Sequence, residues 1–314
     1  MGKIKIILYL FLLLLTTCQC STTTSSNTQT TTTKLVIGID GGTESIRACC
    51  FDATTGRVIG KACAVPYHTN HPHPGWAEQN PIDWYTNLGI AVREAVASTS
   101  LPSSSDDSST MSCTNTFRSY EIAALCVDTT CCSVVALDVQ GCPLRPSLLW
   151  MDTRSVKQTQ EILERCKGDV ALEINCGGNG PLSAEWMTPK ALWIKQNEPE
   201  IWEKACTICE YQDYINWKLT GIMVASSCNA AARWHWNGDE CCRTLPSSDN
   251  QYPGRPLSMY QQLDLMDLAE KLPQRCIPMG SSVGFLTKEA ADHLGLPEGL
   301  PVAQVSFAQY TFSG

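Results

Sequence analysis

LVIGIDGGTESIRACCFD, residues 35–52, sets two apolar, strand-like runs on either side of a glycine turn. Leu35–Asp40 reads as one strand, Gly41-Gly42-Thr43-Glu44-Ser45 as the turn and Ile46–Asp52 as the next strand. A second turn at Ala53-Thr54-Thr55-Gly56 leads into a third strand over Arg57–Tyr67, so the fold opens as an antiparallel meander. The first turn also carries chemistry. Glycines in a tight turn can aim several backbone N–H groups at one point and make an anion nest. Thr43 and Ser45 add hydroxyl donors, Arg47 follows on the hairpin, and Asp40 could hold a hydrated magnesium ion. The same residues also suit an ordinary Gly-Gly hairpin turn. The pattern is neither a Walker loop, which needs Gly-Lys-Ser/Thr, nor a dinucleotide fingerprint, which needs a helix after the glycines.

Outward from the meander, Asn80-Pro81 starts a helix by side-chain capping and a first-turn proline, with Ile82, Tyr85, Leu88, Val92 and Val96 as its expected buried face. Residues 98–116 form a polar insertion. Strands at Ile122–Val127 and Ser133–Val139 flank Asp128-Thr129-Thr130, and helical patterns follow at 155–167, 183–197, 199–206 and 210–219. A second polar insertion spans 237–258, and Thr287 caps a short helix ending at Gly295. Mixed strands first and helices afterwards make an α/β fold.

Composition excludes some partners. With 43% hydrophobic and 17% charged residues the chain is of ordinary globular type, and a net charge of -8 opposes a nucleic-acid or anionic-membrane surface. Lys3 and Lys5 precede the apolar run Ile6–Leu15 and small residues up to Cys20, the order of a secretory signal peptide over 1–20. A Ser/Thr-rich linker, 21–34, follows, and no later stretch is apolar for long enough to span a membrane. The leader implies secretory entry. Free thiols suit the cytoplasm, or an organelle reached by the secretory route. Of the eighteen cysteines, Cys49-Cys50, Cys131-Cys132 and Cys241-Cys242 are adjacent pairs, and most others sit inside apolar patterns. Buried structural thiols fit that placement better than a disulfide scaffold.

Further motifs complete the reading. Pro74-Gly75-Trp76-Ala77-Glu78-Gln79-Asn80-Pro81 follows the meander, Asp128-Thr129-Thr130-Cys131-Cys132 ends a strand, and Trp150-Met151-Asp152-Thr153-Arg154 precedes a helix. Trp186–Trp193, Tyr211–Gly221 and Gly299–Gln304 continue the series. In this order and spacing, over residues 35–304, they resemble the N-terminal domain of the FGGY carbohydrate kinases, most closely the pentulose-kinase branch. The resemblance implies a ribonuclease-H-like domain of the actin and hexokinase type, the first of two, with a sugar as small-molecule partner and ATP and Mg2+ as cofactors of the complete enzyme. It implies phosphate contacts at Gly42, Thr43, Ser45 and Arg47, metal at Asp40, and sugar-site positions at Trp76, Glu78, Thr130, Cys131, Cys132, Asp152 and Arg154. Glu44 stands where the family more often has Thr or Ser.

The family pattern stops at Gln304, and residues 305–314 form a tail unlike it. Ala308 stands at the position of the family's catalytic aspartate. These departures imply a chain truncated before the ATP domain, without turnover, and with an apolar face expected to drive self-association; a non-catalytic sugar-binding protein is the alternative. If the leader is cleaved, N-terminal sequencing should find the mature chain beginning close to Ser21, whereas a soluble protein retaining Met1 excludes that reading.

Overall fold

The computed structural model describes residues 32–100, 119–173, 182–244, 246–248 and 250–305. Leader residues 1–20, most of the linker, the core of the first insertion and Ala308 lie outside them. The meander forms as read: β1 (Thr32–Gly41), β2 (Ser45–Asp52) and β3 (Val58–Pro66) are antiparallel neighbours, with Asp40 opposite Arg47. Two-residue β4 (Glu78–Gln79) follows. β5 (Ser119–Thr129) is longer than read and takes in Asp128 and Thr129. After β6 (Val134–Leu137), β7 (Ser147–Leu148), β8 (Thr207–Glu210), β9 (Ala225–Ser226) and β10 (Cys276–Ile277) come β11 (Ser282–Phe285) and β12 (Pro301–Gln304). The main sheet runs β11-β12-β5-β1-β2-β3, with β12, β5 and β1 parallel. That is the strand arrangement expected of a ribonuclease-H-like domain.

Alternation along these strands makes two faces. Leu35, Ile37 and Ile39 enter the main core, while Val36 joins a smaller cluster on the opposite face. The same rule explains the first thiol pair: Cys50 points into the main core and Cys49 out of the other face. Burial pushes their thiols up to about 12 and about 11, so both stay protonated hydrophobes. All fourteen described cysteines are free.

Helix α1 (Pro81–Ser98) covers the main sheet, its Asn80 side chain accepting from the Ile82 amide. Its buried stripe is rotated from the expected one. Trp84, Leu88, Ala91, Val92 and Ala95 are buried, Tyr85 and Val96 only border the core, and Ile82 is 53% exposed. Bulk misled the pattern: small alanines face inward because the sheet lies close there. Ser98, read as the start of a loop, is the buried last residue of the helix, and its hydroxyl accepts from the Lys61 amide at 2.8 Å.

Beyond the sheet lies a second layer. α2 (Val156–Arg165), α3 (Met187–Asn197), α4 (Pro199–Lys204), α5 (Tyr211–Thr220), α6 (Ser227–Arg233), α7 (Gly238–Arg243), α8 (Leu257–Gln262) and α9 (Met266–Lys271) precede α10 (Lys288–Leu294). The helix read from 183 begins only at Met187, because residues 183–186 form a turn closed by the Trp186 amide on the Ser183 carbonyl. The 237–258 insertion is partly helical, carrying α7 and the start of α8. A small sheet, β4-β7-β6-β8, separates two apolar cores: Val135 and Leu137 of β6 face the main one, and Val134 and Ala136 face the helical one. No helix among the described residues is long and apolar enough to cross a membrane.

The rotated stripe of α1 is testable. Leu88→Ala should cost about 2–5 kcal/mol in urea denaturation, and Ile82→Ala less than about 0.5 kcal/mol; equal losses would restore the stripe centred on Ile82.

Candidate active site

Three parallel strands end together. Asp40 of β1 lies opposite Asp128 of β5, Gly41 opposite Thr129, and Gln304 of β12 opposite Val127. The Gln212 side-chain amide donates to the carbonyls of Val127 and Val305, both at 2.9 Å, and ties β5 to the end of β12. The Thr130 amide donates to the Gly41 carbonyl at 3.0 Å, holding the strand end beside the glycine turn. Ligands of open α/β sheets bind outside such carboxyl ends.

The turn is held rather than free. Gly41 and Gly42 both stay out of the left-handed region. Gly41 is required by a close approach: a Cβ there would stand 2.8 Å from the Tyr211 hydroxyl. The Gly42 amide, expected to point at an anion, donates to the Ser45 carbonyl at 3.0 Å inside the turn, and the Tyr67 hydroxyl donates to the Gly42 carbonyl. The Gln79 amide donates to the Thr43 carbonyl at 2.7 Å, and Gln79 Oε1 accepts from Trp84 Nε1 at 2.8 Å. Thr43 Oγ1 accepts from Trp150 Nε1 at 3.1 Å, which leaves the hydroxyl proton available for a ligand. Asp40 and Arg47, read as metal and phosphate contacts, pair with each other at 3.2 Å with side chains 30% and 55% exposed. The Gly42 amide is therefore spent inside the turn, and Thr43, Ser45 and Arg47 carry side-chain donors beside it.

Trp76, Glu78, Asp152 and Arg154 do come together, but as an interior brace. The Arg154 guanidinium is fully buried, pairs with Asp152 Oδ2 at 2.7 Å and Glu78 Oε1 at 2.8 Å, and stacks over Trp76 with 3.7 Å to the ring centroid. Asp152 also accepts from the Ala77 amide at 2.7 Å. Arg145, absent from the sequence reading, shares Glu78 at 2.8 Å and reaches Glu198 at 2.7 Å; burial draws its guanidinium below its ordinary value against both carboxylates. Asp152 and Arg154, expected to line the cleft, are instead used internally to fix the Trp76 loop. Gly75 in that loop has φ +78°, and a Cβ would meet the Thr153 hydroxyl oxygen at 2.6 Å. Any side chain there would be strained.

Thr130 is partly exposed, whereas Cys131 and Cys132 are buried and pack with Ala232, Trp150 and Cys228. Cys132 adopts φ 64°, a left-handed conformation costly for a side-chain-bearing residue. What holds it is Lys190. Its Nζ, fully buried in α3, donates to the carbonyls of Cys132 at 2.9 Å, Leu149 at 2.5 Å and Trp150 at 3.3 Å. Burial draws this ammonium down to about 8, opposed by Cys132, Asp152 and Glu210. Burial likewise pushes the Glu210 carboxyl up to about 7 and the Cys132 thiol well above its ordinary range. Cys132 is thus a packing thiol and no nucleophile at neutral pH. Sequence reasoning quoted Lys190 within its motif and gave it no role; a lysine amid Met187–Ile194, all buried, was the available signal.

Residues 35–238 match the model of the FGGY family of carbohydrate kinases, N-terminal domain. The chain belongs to the FGGY family of carbohydrate kinases. A human FGGY carbohydrate kinase domain-containing protein is 28% identical over 85% of this chain and 44% of its own length. A Geobacillus thermodenitrificans ribulokinase is 28% identical over 86% of this chain and 47% of its own. The structure of a Rhodospirillum rubrum xylulose kinase aligns with TM-score 0.64 and 27% identity over 87% of this chain and 49% of that one. A gluconate kinase from Lactobacillus acidophilus shares the fold at TM-score 0.68 and 18% identity, over 89% and 49%. This FGGY chain spans about half the length of the curated relatives it matches.

The buried lysine of this FGGY domain gives a pH signature. Between about pH 8 and the ordinary lysine value of 10.5, the unfolded chain holds a proton at Lys190 that the folded chain has released, so stability rises with pH across that window. Wild-type stability minus that of Lys190→Met, from urea midpoints, should therefore climb by about 2 kcal/mol from about pH 7.5 to about pH 10. A flat or falling difference would remove the buried ammonium from this account.

Proposed function

We propose that this chain forms the sugar-binding half of an ATP-dependent pentulose kinase. The observation that carries the reading is the meeting of the Thr43–Arg47 hairpin with the Thr130 turn at the carboxyl edge of β1 and β5. The ribulokinase and xylulose kinase relatives support a ketopentose as substrate class. Thr130, partly exposed beside Gly41, suits a hydrogen bond to a sugar hydroxyl, and Trp76 supplies an aromatic wall beside the Arg154 brace.

The donor set fits the cofactors. Mg2+ takes oxygen ligands, and Asp40 with its register partner Asp128 places two carboxylates on one edge. The Thr43 and Ser45 hydroxyls and the Arg47 guanidinium suit phosphate oxygens, Arg47 exchanging Asp40 for the anion. Bound MgATP would supply the phosphoryl group and the charge that steadies its transfer. Ala308 cannot take the proton of a sugar hydroxyl, and a missing general base costs on the order of 10²–10⁴ in rate. That residue favours a second reading, a sugar-binding protein without turnover.

Calorimetric titration of the full chain with D-ribulose and D-xylulose, with and without MgATP, tests the proposal. A ketopentose should bind, Thr130→Val should weaken it by up to about tenfold, and sugar-dependent release of ADP would discard the non-catalytic reading. No heat with either ketose, or a Thr130→Val variant that binds as wild type, would overturn the sugar site.

A further inference from the structure

Away from the carboxyl edge, three thiols converge. Cys241 and Cys242 lie in α7, and Cys276 begins β10 beside β9. Their Sγ atoms all lie within 4.8 Å of one another, and Cys242 and Cys276 are 3.9 Å apart. Among the described residues this is the sole group of Cys, His, Asp or Glu whose ligand atoms gather closely enough for an ion. A metal–sulfur bond of about 2.3 Å gives sulfur–sulfur spacings of about 3.8 Å in a tetrahedral site and about 4.0 Å in a trigonal one. The 3.9 Å between Cys242 and Cys276 meets that requirement, and the remaining spacings, within 4.8 Å, lie near it. The adjacent pairs elsewhere do not repeat it: Cys49 and Cys50 point to opposite faces of a strand, and Cys131 and Cys132 have only each other in their cluster besides Cys228.

Two further observations point to a charged occupant. The thiols line a cavity of about 120 Å³ together with Trp236, Arg255 and Thr244, so an ion has room and an approach. Arg255 is buried, stacks on Trp236 with 4.3 Å to the ring centroid and donates to the Pro273 carbonyl at 2.5 Å. No carboxylate among the described residues pairs with it, and its Nε is buried without a hydrogen-bond partner. A buried guanidinium without a counter-anion is costly. Three thiolates around a divalent ion carry a net charge of -1, which the guanidinium would neutralise, and around a monovalent ion -2, which it would halve.

We propose that Cys241, Cys242 and Cys276 form a trithiolate site for a thiophilic closed-shell metal ion, of the class of Zn2+ or Cu+, with Arg255 as its charge partner. Binding forms three metal–sulfur bonds and releases the three thiol protons to solvent; no electrons are exchanged. A divalent ion completes its shell with a water from the cavity, while a monovalent ion needs only the three sulfurs. The site clips α7, in the insertion, to β10 across a separation of 34 residues. It thereby braces α6, whose Ala232 packs against Cys131 and Cys132.

The test uses the full chain, reduced and kept anaerobic, titrated with Zn2+ against a chromophoric chelator and separately with Cu+. One equivalent should bind, with affinity falling at least 100-fold in Cys242→Ser and in Cys276→Ser and unchanged in Cys142→Ser and Cys206→Ser, whose thiols are exposed. A second readout does not depend on variants folding: in the wild type, the bound ion should slow alkylation of Cys241, Cys242 and Cys276, mapped by mass spectrometry, and leave Cys142 and Cys206 reactive. The proposal is overturned by the absence of stoichiometric binding of either ion, by binding that survives both serine substitutions, by protection mapped to other cysteines, or by a disulfide within the trio that forms equally fast with the ion present.

Discussion

The Lys190 ammonium has no exposure and makes three hydrogen bonds, all to carbonyl oxygens of other segments. Most of the candidate site depends on that constraint. A charge taken into the interior is tolerated only where its hydrogens are satisfied, so the backbone must bring Cys132, Leu149 and Trp150 to one point. Meeting that demand forces Cys132 into its left-handed conformation and sets Trp150 where its indole can donate to Thr43. The glycine hairpin is thus positioned from α3, a helix far from it in sequence.

A second buried charge does the same for the neighbouring loop. Arg154 binds Asp152 and Glu78 and stacks on Trp76, so segments 76–79 and 149–154 move as one piece. The pieces are joined along the chain: Gln79, next to Glu78, bonds to Thr43, and Leu149 donates to the Ala77 carbonyl at 3.0 Å. Removing one member of such a pair leaves an uncompensated interior charge, which typically costs about 3–5 kcal/mol. The energetic consequence is a rigid wall. The more accessible parts beside that wall include the Thr43 and Ser45 hydroxyls, the Asp40–Arg47 pair and Thr130.

Much of this was legible before any coordinates. The meander showed itself through apolar runs at strand–turn–strand spacing and a Gly-Gly turn, because strand pairing at short separation is a local matter. The Asn80 and Thr287 caps and the Gly295 helix end were likewise local. The buried stripe of α1 was misjudged because bulk was taken for burial, and the sheet admits Ala91 and Ala95 more closely than it admits Ile82. The roles of Lys190 and Arg145 were invisible for a different reason. Lys190 meets carbonyls 58 and 41 residues away, and Arg145 meets Glu78 across 67, distances over which pattern carries no contact information. The same blindness made Asp152 and Arg154 look like cleft residues. Their motif marks the neighbourhood of the site, but their side chains face inward.

On the reading proposed above, the carboxyl edge of β1 and β5, with the loops braced by Lys190 and Arg154, is a preformed ketopentose site. Hydrogen–deuterium exchange of the full chain with saturating D-ribulose or D-xylulose reads it directly. Added protection is expected at residues 41–47, 74–79, 128–132 and 149–154, with the rest of the meander strands and α1 unchanged. Protection confined to other segments, or exchange identical with and without either sugar, would contradict it.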